Sequence, residues 1–210
     1  MGSQPGPLKG EGLSRLTRPQ SQARTRERLL AAAREAFIEN GFARTSLESI
    51  AEAAGFSKGA VYSNFESKDA LFLELLEAKF AADGEAIGRL ATEHKDREAL
   101  LVAIRRYLEA HGDILDFTMV AVEFLSQIES DSPAARRAAE LYEAQRHATT
   151  RLAALASGVT PDDPRLSGFA AGLIALTLGL ATQRGLDRGS VSVALWARLV
   201  HDYMRTLIDR

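Results

Sequence analysis

The sequence predicts an all-α fold of about nine helices, and three observations carry this prediction. Apolar residues recur three and four positions apart along most of the chain, as they do on one face of a helix. Residue types that cap helices, chiefly Ser, Thr, Asp and Gly, separate these segments. No segment alternates apolar and polar residues as a half-buried strand does, and no repeat of solenoid length occurs.

Residues 1–19 differ from the rest of the chain in composition and charge. They are rich in Gly, Pro, Ser and Arg, and residues 1–28 hold six basic residues against two acidic ones. The net charge of the whole chain is −2, so a basic end is attached to an acidic body. We expect residues 1–19 to form a disordered basic arm. The arm either contacts nucleic acid or, like many short basic tails, has no partner.

Residues 20–66 are predicted to form a small N-terminal domain of three helices joined by glycine-containing turns. The capping box at the start of the second helix is expected over Thr45–Glu48, and the third helix over Lys58–Asn64. The other predicted boundaries are marked by helix-capping residues: Ser21, Gly41, Gly55 and Ser57.

Residues 67–210 are predicted to form six further helices in a second, larger domain. The first is long and amphipathic and runs from near Ser67 to about Leu90. The other five are expected over residues 96–110, 114–129, 133–157, 166–184 and 191–209. The 18 residues Leu166–Gln183 carry no charge and reach the length of a membrane span. Their interspersed Gly, Ser, Thr and Gln predict a buried helix instead.

The segment from Thr45 to Asn64 has the pattern of a helix-turn-helix, in which the second helix enters the major groove of DNA. The inner, apolar face is predicted at Leu47, Ile50, Ala51, Ala54, Val61 and Phe65. The outer face of the last helix carries Lys58, Gly59, Ala60, Tyr62, Ser63 and Asn64. Small residues near its N-terminus would let the backbone approach the bases. Tyr62 is also compatible with a position in the core.

Residues 24–71 resemble the N-terminal domain of the TetR transcriptional regulators. The resemblance is densest in the run Ala54-Gly55-Phe56-Ser57-Lys58-Gly59-Ala60-Val61-Tyr62-Ser63-Asn64-Phe65. Phe56 stands where Val is more usual, which is a conservative departure. Beyond about residue 90 the resemblance depends on the number and order of helices alone.

The resemblance implies a regulator that binds double-stranded DNA sequence-specifically as a homodimer on a pseudo-palindromic operator, most simply a repressor released by a small organic effector. It places Lys58, Gly59, Ala60 and Ser63 at base-facing positions. The positions that it implies for phosphate contacts are Thr45, Ser46, Tyr62, Asn64 and Lys68. Lys68 is alternatively a solvated lysine, although a positive charge at a helix N-terminus opposes the helix dipole.

The larger domain is expected to supply the dimer interface and the effector pocket. Two apolar stripes on the last two helices predict the interface, unless they pack only within their own chain: Phe169, Gly172, Leu173, Leu176, Leu180, Val193, Trp196, Val200, Tyr203 and Leu207. Position and residue type suggest nine pocket residues, each of which is also compatible with an ordinary core or surface role: Tyr107, His111, Phe117, Met119, Glu123, Phe124, Gln127, Tyr142 and Arg146.

Several other classes of protein are disfavoured by the sequence. The four histidines match no metal-ligand spacing, and no nucleophile elbow, dinucleotide motif or phosphate-binding loop occurs, so we expect no enzyme, metal or cofactor. The chain has no cysteine and no apolar signal-peptide core, which is typical of a cytoplasmic protein without membrane attachment. Two alternatives stay open: an activator or effector-independent regulator of the same fold, and a helical adaptor that has lost DNA binding.

Overall fold

The computed structural model describes residues 17–160 and 162–208, and this part of the chain folds into nine α-helices. The predicted all-α class is confirmed. The helices are α1 (Arg18–Asn40), α2 (Leu47–Ala53), α3 (Lys58–Tyr62), α4 (Lys68–Glu93), α5 (Arg97–Ala110), α6 (Asp113–Gln127), α7 (Pro133–Ser157), α8 (Pro164–Leu186) and α9 (Val193–Ile208).

The first helix begins earlier than the sequence analysis predicted. Thr17, not Ser21, is the N-cap of α1. The Thr17 hydroxyl accepts a hydrogen bond from the backbone N–H of Gln20, and the Gln20 side chain accepts one from the backbone N–H of Thr17 at 2.9 Å. This reciprocal pair satisfies two N–H groups that would otherwise lack partners. Residues 17–19 therefore do not belong to an arm, and residues 1–16 lie outside the described residues.

The capping box of α2 also lies one residue later than predicted. Ser46 is the N-cap and accepts a hydrogen bond from the N–H of Ser49 at 3.0 Å, while the Ser49 hydroxyl accepts one from the N–H of Ser46 at 3.1 Å. Thr45 is buried and donates its hydroxyl proton to the carbonyl of Gly41 at 2.8 Å. The positive φ of Gly55 fits the predicted end of this helix.

One hydrophobic core joins α1, α2 and α3 to α4, α6 and α7, and it crosses the domain boundary expected at residues 66–67. Its centre is a cluster of phenylalanine rings. Phe42, after α1, contacts Phe124 of α6 at 5.0 Å between centroids, and Phe72 of α4 contacts Phe124 at 4.9 Å. Phe72 also stacks on Phe117, one turn from the start of α6, at 5.6 Å. The N-terminal helices are thus packed directly on the body.

The remaining helices enclose two further cores. The larger one is built around Trp196 of α9, with α5, α6 and α8, and the smaller one lies between α7, α8 and α9. α8 is the one helix in the described part of the chain that is long and apolar enough to cross a membrane by length and composition. It packs on α6, α7 and α9, yet only 28% of its most apolar window is buried inside the chain.

Candidate nucleic-acid interface and effector cavity

The helix-turn-helix of α2 and α3 separates a buried face from an exposed one. All six residues predicted for the inner face are buried: Leu47, Ile50, Ala51, Ala54, Val61 and Phe65. On the predicted outer face, Lys58, Gly59 and Ser63 are exposed and Tyr62 is 53% exposed, whereas Ala60 and Asn64 are half-buried. The alternative of a core position for Tyr62 is therefore wrong. The outward face of α3 is free to meet a large partner.

Tyr62 is held in place by the first turn of α2. Its hydroxyl donates a hydrogen bond to Glu48 Oε1 at 2.8 Å. This bond lowers the pKa of Glu48 below its usual range, because it stabilises the carboxylate, and it raises the pKa of Tyr62. The contact links the two short helices across their solvent side and fixes the direction of the tyrosine ring.

Gly59, at the second position of α3, has no structural reason to be glycine. A Cβ atom built there meets only the Ser57 hydroxyl, at 3.9 Å, which is ordinary contact, and its φ is not in the left-handed region. A glycine within a helix costs up to about 1 kcal/mol relative to alanine. The packing of the chain itself therefore gives no reason for glycine at this exposed position.

Three of the residues expected at phosphates are engaged inside the chain. Thr45 is buried, so its side chain cannot reach DNA. The Lys68 ammonium group donates a hydrogen bond to the carbonyl of Phe42 at 2.9 Å and lies 4.2 Å above the Phe42 ring. The Asn64 amide donates to the carbonyl of Ala60 at 2.8 Å. Ser46 is exposed at the N-terminus of α2.

Two of the basic residues counted in the N-terminal excess brace the same domain. Arg26 forms an ion pair with Glu74 of α4, donates to the carbonyl of Asn64, and lies 4.3 Å from the centre of the Phe65 ring. Arg28 donates to the carbonyl of Ala54 at 3.0 Å, at the end of α2. Only part of the basic excess is therefore available to an outside partner.

Glu123 of α6 connects the body to the turn between α1 and α2. Its carboxylate accepts hydrogen bonds from the backbone N–H groups of Phe42 and Ala43 at 2.8 and 3.0 Å. Gly41, with φ of 80°, lies against the same carboxylate, and a Cβ there would come within 2.7 Å of Glu123 Oε2. The turn and the carboxylate thus fit each other, and α6 is hydrogen-bonded directly to the turn that leads into the helix-turn-helix.

A cavity of about 180 Å³ lies in the body. Its wall is formed by residues of α4 to α9, most of them apolar. Trp196 lines the cavity and is itself 2% exposed. Phe117 of α6 also lines it, and its ring stacks on Phe72 of the phenylalanine cluster. A concave, mostly apolar site with a few polar groups is typical of a site for a small organic molecule.

The polar side chains of the cavity wall lie on several helices. Tyr107 donates a hydrogen bond to Asp83 at 2.9 Å, and burial together with this bond raises the pKa of Tyr107 to about 12. Burial likewise raises the pKa of Tyr142 to about 12, and its ring packs edge to face on Phe80. Both phenols are therefore neutral near pH 7.

Comparison with known proteins agrees with this arrangement. Residues 29–75 match the family described as bacterial regulatory proteins, tetR family, and residues 96–209 match the C-terminal domain of BetI-type transcriptional repressors. The second match alone covers more than half of the chain. The chain belongs to the TetR family. It is therefore a DNA-binding transcriptional regulator and not an enzyme.

Individual relatives agree with this assignment. A stretch of 118 residues is 30% identical to an HTH-type transcriptional repressor of Mycobacterium tuberculosis and covers 56% of this chain and 58% of that protein. NalD of Pseudomonas aeruginosa, the secondary repressor of a multidrug efflux pump, is 25% identical, with a TM-score of 0.60 over 89% of this chain and 96% of NalD. The fold also matches FadR of Bacillus subtilis in complex with stearoyl-CoA, at 16% identity, with a TM-score of 0.66 over 87% and 97% of the two chains.

Of the nine expected pocket residues of this TetR regulator, three line the cavity: Tyr107, Phe117 and Tyr142. The other six do not line this cavity. His111 is exposed and stacks on Tyr107, Gln127 and Arg146 are exposed, and Phe124 is buried in the first core. Met119 packs on Gly185, and Glu123 binds the α1–α2 turn. Four of these six residues lie on α6 and one on α7, and His111 follows the end of α5.

The apolar stripes expected at the dimer interface of this TetR regulator face largely inwards. Phe169, Leu180, Trp196 and Val200 are buried within the chain, and the others are half-buried: Gly172, Leu173, Leu176, Val193, Tyr203 and Leu207. Gly172 leaves room for the Tyr203 hydroxyl, which a Cβ would approach to 2.1 Å. The exposed side of α8 instead carries small residues: Gly168, Ala171, Ala175 and Gly179.

Several residues of the cavity wall were not predicted from the sequence. The i, i+4 pair Lys79–Asp83 lies on the same α4 face as Leu76 and Phe80, and a charged pair within an apolar stripe was the available signal. Nothing in the sequence distinguished Trp196 as a cavity residue from Trp196 as core. In the described residues, no three or more His, Cys, Asp or Glu side chains group so that they could hold a metal ion.

Proposed function

We propose that this TetR regulator is a repressor that binds a pseudo-palindromic operator as a homodimer and is released by a small organic effector. The observation that carries the proposal is the exposed face of α3, where Gly59 has no structural need to be glycine and the aromatic side chain of Tyr62 is exposed. The relatives of this chain include a repressor of Mycobacterium tuberculosis. A regulator that binds chromosomal DNA acts in the bacterial cytoplasm, where the chromosome lies.

DNA contacts are assigned to the groups that remain available. Lys58, Gly59, Ala60 and Ser63 face the bases, and Tyr62 and the N-terminus of α2 at Ser46 contact phosphates. Lys68 and Asn64 act by holding the turn and the helix that carry these groups. Thr45 acts only inside the fold.

Specific DNA binding requires a dimer, because one five-residue helix reads too few base pairs. The exposed small-residue side of α8 is the proposed contact with the second copy. It is apolar and poorly covered within one chain, and small residues let two helices approach closely. Two copies would place their recognition helices about one turn of DNA, roughly 34 Å, apart.

The effector site is the proposed role of the cavity, and two helices connect it to the DNA-binding domain. α4 lines the cavity with Leu76 and Phe80 and begins at Lys68, which holds the α1–α2 turn. α6 lines it with Phe117 and binds the same turn through Glu123. A ligand that prefers a different position of either helix would alter the separation of the two recognition helices and lower the affinity for DNA.

The DNA-binding part is tested by selecting tight-binding duplexes from a random pool and measuring their affinity by fluorescence anisotropy. We expect two related half-sites and tight binding by the wild-type protein. The Lys58→Ala/Tyr62→Ala double variant should lose the preference for the selected sequence. The matched control is Lys95→Ala, at an exposed lysine between α4 and α5. Failure of the pool to enrich, or equal binding by the double variant, would contradict the proposal.

A further inference from the structure

Two charged side chains in the described part of the cavity wall stand one turn apart on α4 and neutralise each other. The Lys79 ammonium group donates to both carboxylate oxygens of Asp83, at 2.6 and 2.5 Å. The two side chains are only 15% and 18% exposed, so they form a largely desolvated pair rather than a surface one. No other charged side chain of the described residues lines the cavity.

The carboxylate of this pair is already satisfied without a ligand. Tyr107 of α5 donates a third hydrogen bond to Asp83 Oδ1 at 2.9 Å. A charged ligand group could use Lys79 or Asp83 as its own counter-charge only by separating the pair, which would leave the other charge unpaired in a mostly apolar wall. Removing one member of a buried pair is strongly unfavourable for that reason. The pair therefore opposes both anions and cations.

The rest of the polar wall is neutral and suits an uncharged group. Tyr142 is protonated near pH 7, because burial raises its pKa to about 12. Further neutral side chains of the wall that carry a hydroxyl or amide group lie on α6, α7 and α8: Thr118, Gln145, Thr149 and Thr177. Hydroxyl and amide groups can both donate and accept, so they can bind an amide, alcohol or ketone without any net charge.

We propose that the cavity selects uncharged, mostly apolar molecules and discriminates against anions and cations of the same size. This inference rests on the proposed effector function of the cavity and adds the chemical class of its ligand. The cavity volume of about 180 Å³ suits the apolar part of a small organic molecule, since a cavity of about 150 Å³ holds benzene.

A matched series of ten-carbon compounds tests the charge preference directly. Decanamide, decanoate and decylammonium have nearly equal size, and at pH 7.5 they are neutral, anionic and cationic. The chain has one tryptophan, Trp196, and it lines the cavity, so its fluorescence reports binding without a label. Calorimetry provides a second readout. We expect decanamide to bind at least ten-fold more tightly than either charged compound.

Each outcome of this series has a distinct meaning. Equal or tighter binding of decanoate or decylammonium would overturn the neutral-ligand inference and leave the effector site standing. Binding of none of the three by either readout would overturn both the inference and the effector role of the cavity. Operator binding measured in the same samples shows separately whether the DNA-binding function is intact.

Two variants test whether the ion pair causes the preference. Asp83→Asn leaves Lys79 unpaired, so the affinity for decanoate relative to decanamide should rise at least ten-fold. Lys79→Met leaves Asp83 unpaired, so the affinity for decylammonium relative to decanamide should rise at least ten-fold. Glu109→Gln, which breaks the exposed Arg105–Glu109 pair on α5, is the control and should leave both ratios unchanged. Circular dichroism identifies a variant that fails to fold, and the wild-type series then decides alone. Folded variants with unchanged ratios would overturn the assignment to this pair.

Discussion

At the scale of single residues, a substitution at Gly59 should change stability and DNA affinity in opposite directions. Its Cβ position is unobstructed, so Gly59→Ala should leave the fold intact and raise the free energy of unfolding by up to about 1 kcal/mol. The added methyl group would meet the DNA, so the affinity for the selected duplex should fall at least ten-fold. Urea unfolding and anisotropy measure the two effects. A variant that is more stable and binds DNA as tightly would show that Gly59 does not face the bases.

Tyr142 makes a second prediction at this scale, which concerns pH. Because its pKa is raised from 10 to about 12, folding favours the protonated phenol. This contribution to stability is fully present below about pH 10 and is lost as the pH rises towards 12. Between pH 9 and pH 11 the wild-type protein should lose about 1 kcal/mol more stability than Tyr142→Phe. Urea unfolding of both proteins at the two pH values measures the difference. Parallel losses would contradict the burial of the phenol.

At the scale of helices, the link between α6 and the α1–α2 turn predicts a specific defect. Glu123→Gln keeps the size of the side chain but leaves one oxygen acceptor for two backbone N–H groups. We expect a loss of about 1–3 kcal/mol in the free energy of unfolding, since hydrogen bonds to charged groups are worth about this much. DNA affinity should fall as well, because the turn positions the helix-turn-helix.

The control for this change is Glu129→Gln, two residues beyond the end of α6 and exposed. It removes the same charge without touching the turn. Equal effects of the two substitutions on unfolding and on DNA affinity would show that net charge, and not the contact with Phe42 and Ala43, accounts for the loss.

A comparison of predicted and observed helix boundaries shows how much of the fold could be predicted from the sequence. α7 agrees with its predicted bounds because Ser132, Pro133 and Gly158 are unambiguous start and stop signals. The start of α1 was missed because its capping box uses Thr17 and Gln20 within a Pro- and Arg-rich stretch that resembles a tail. The stripes on α8 and α9 were found, but periodicity cannot tell whether an apolar face is covered by the same chain or by a second copy.

The candidate site was predictable to a different degree in its two parts. The exposed face of α3 follows from a dense local motif, so Lys58, Gly59 and Tyr62 could be placed from sequence. The inward contacts of Thr45 and Lys68 depend on the α1–α2 turn, which only the folded chain defines. The cavity wall combines residues from six helices, and no local pattern specifies which of their faces converge.

At the scale of the whole molecule, the exposed face of α8 predicts the assembly state. Ala175→Arg adds a long charged side chain to an exposed position of a helix, so a single chain can accommodate it. If two copies meet on this face, the substitution should convert the dimer to a monomer and abolish specific DNA binding. Ala81→Arg, at an exposed alanine of α4, is the matched control. Sedimentation equilibrium checks both, and a dimeric Ala175→Arg protein would place the interface elsewhere.

The connection between cavity and DNA makes a final prediction for the intact regulator. If effector and operator favour different positions of α4 and α6, thermodynamic linkage requires their effects on each other to be equal. A ligand that weakens operator binding ten-fold must bind ten-fold more weakly to the operator complex. Trp196 fluorescence measures the ligand affinity with and without the selected duplex, and anisotropy measures the DNA affinity with and without ligand. A ligand could bind the cavity and yet leave the DNA affinity unchanged, with its own affinity unchanged by the duplex. That result would show that the phenylalanine cluster and Glu123 do not transmit ligand binding to the helix-turn-helix.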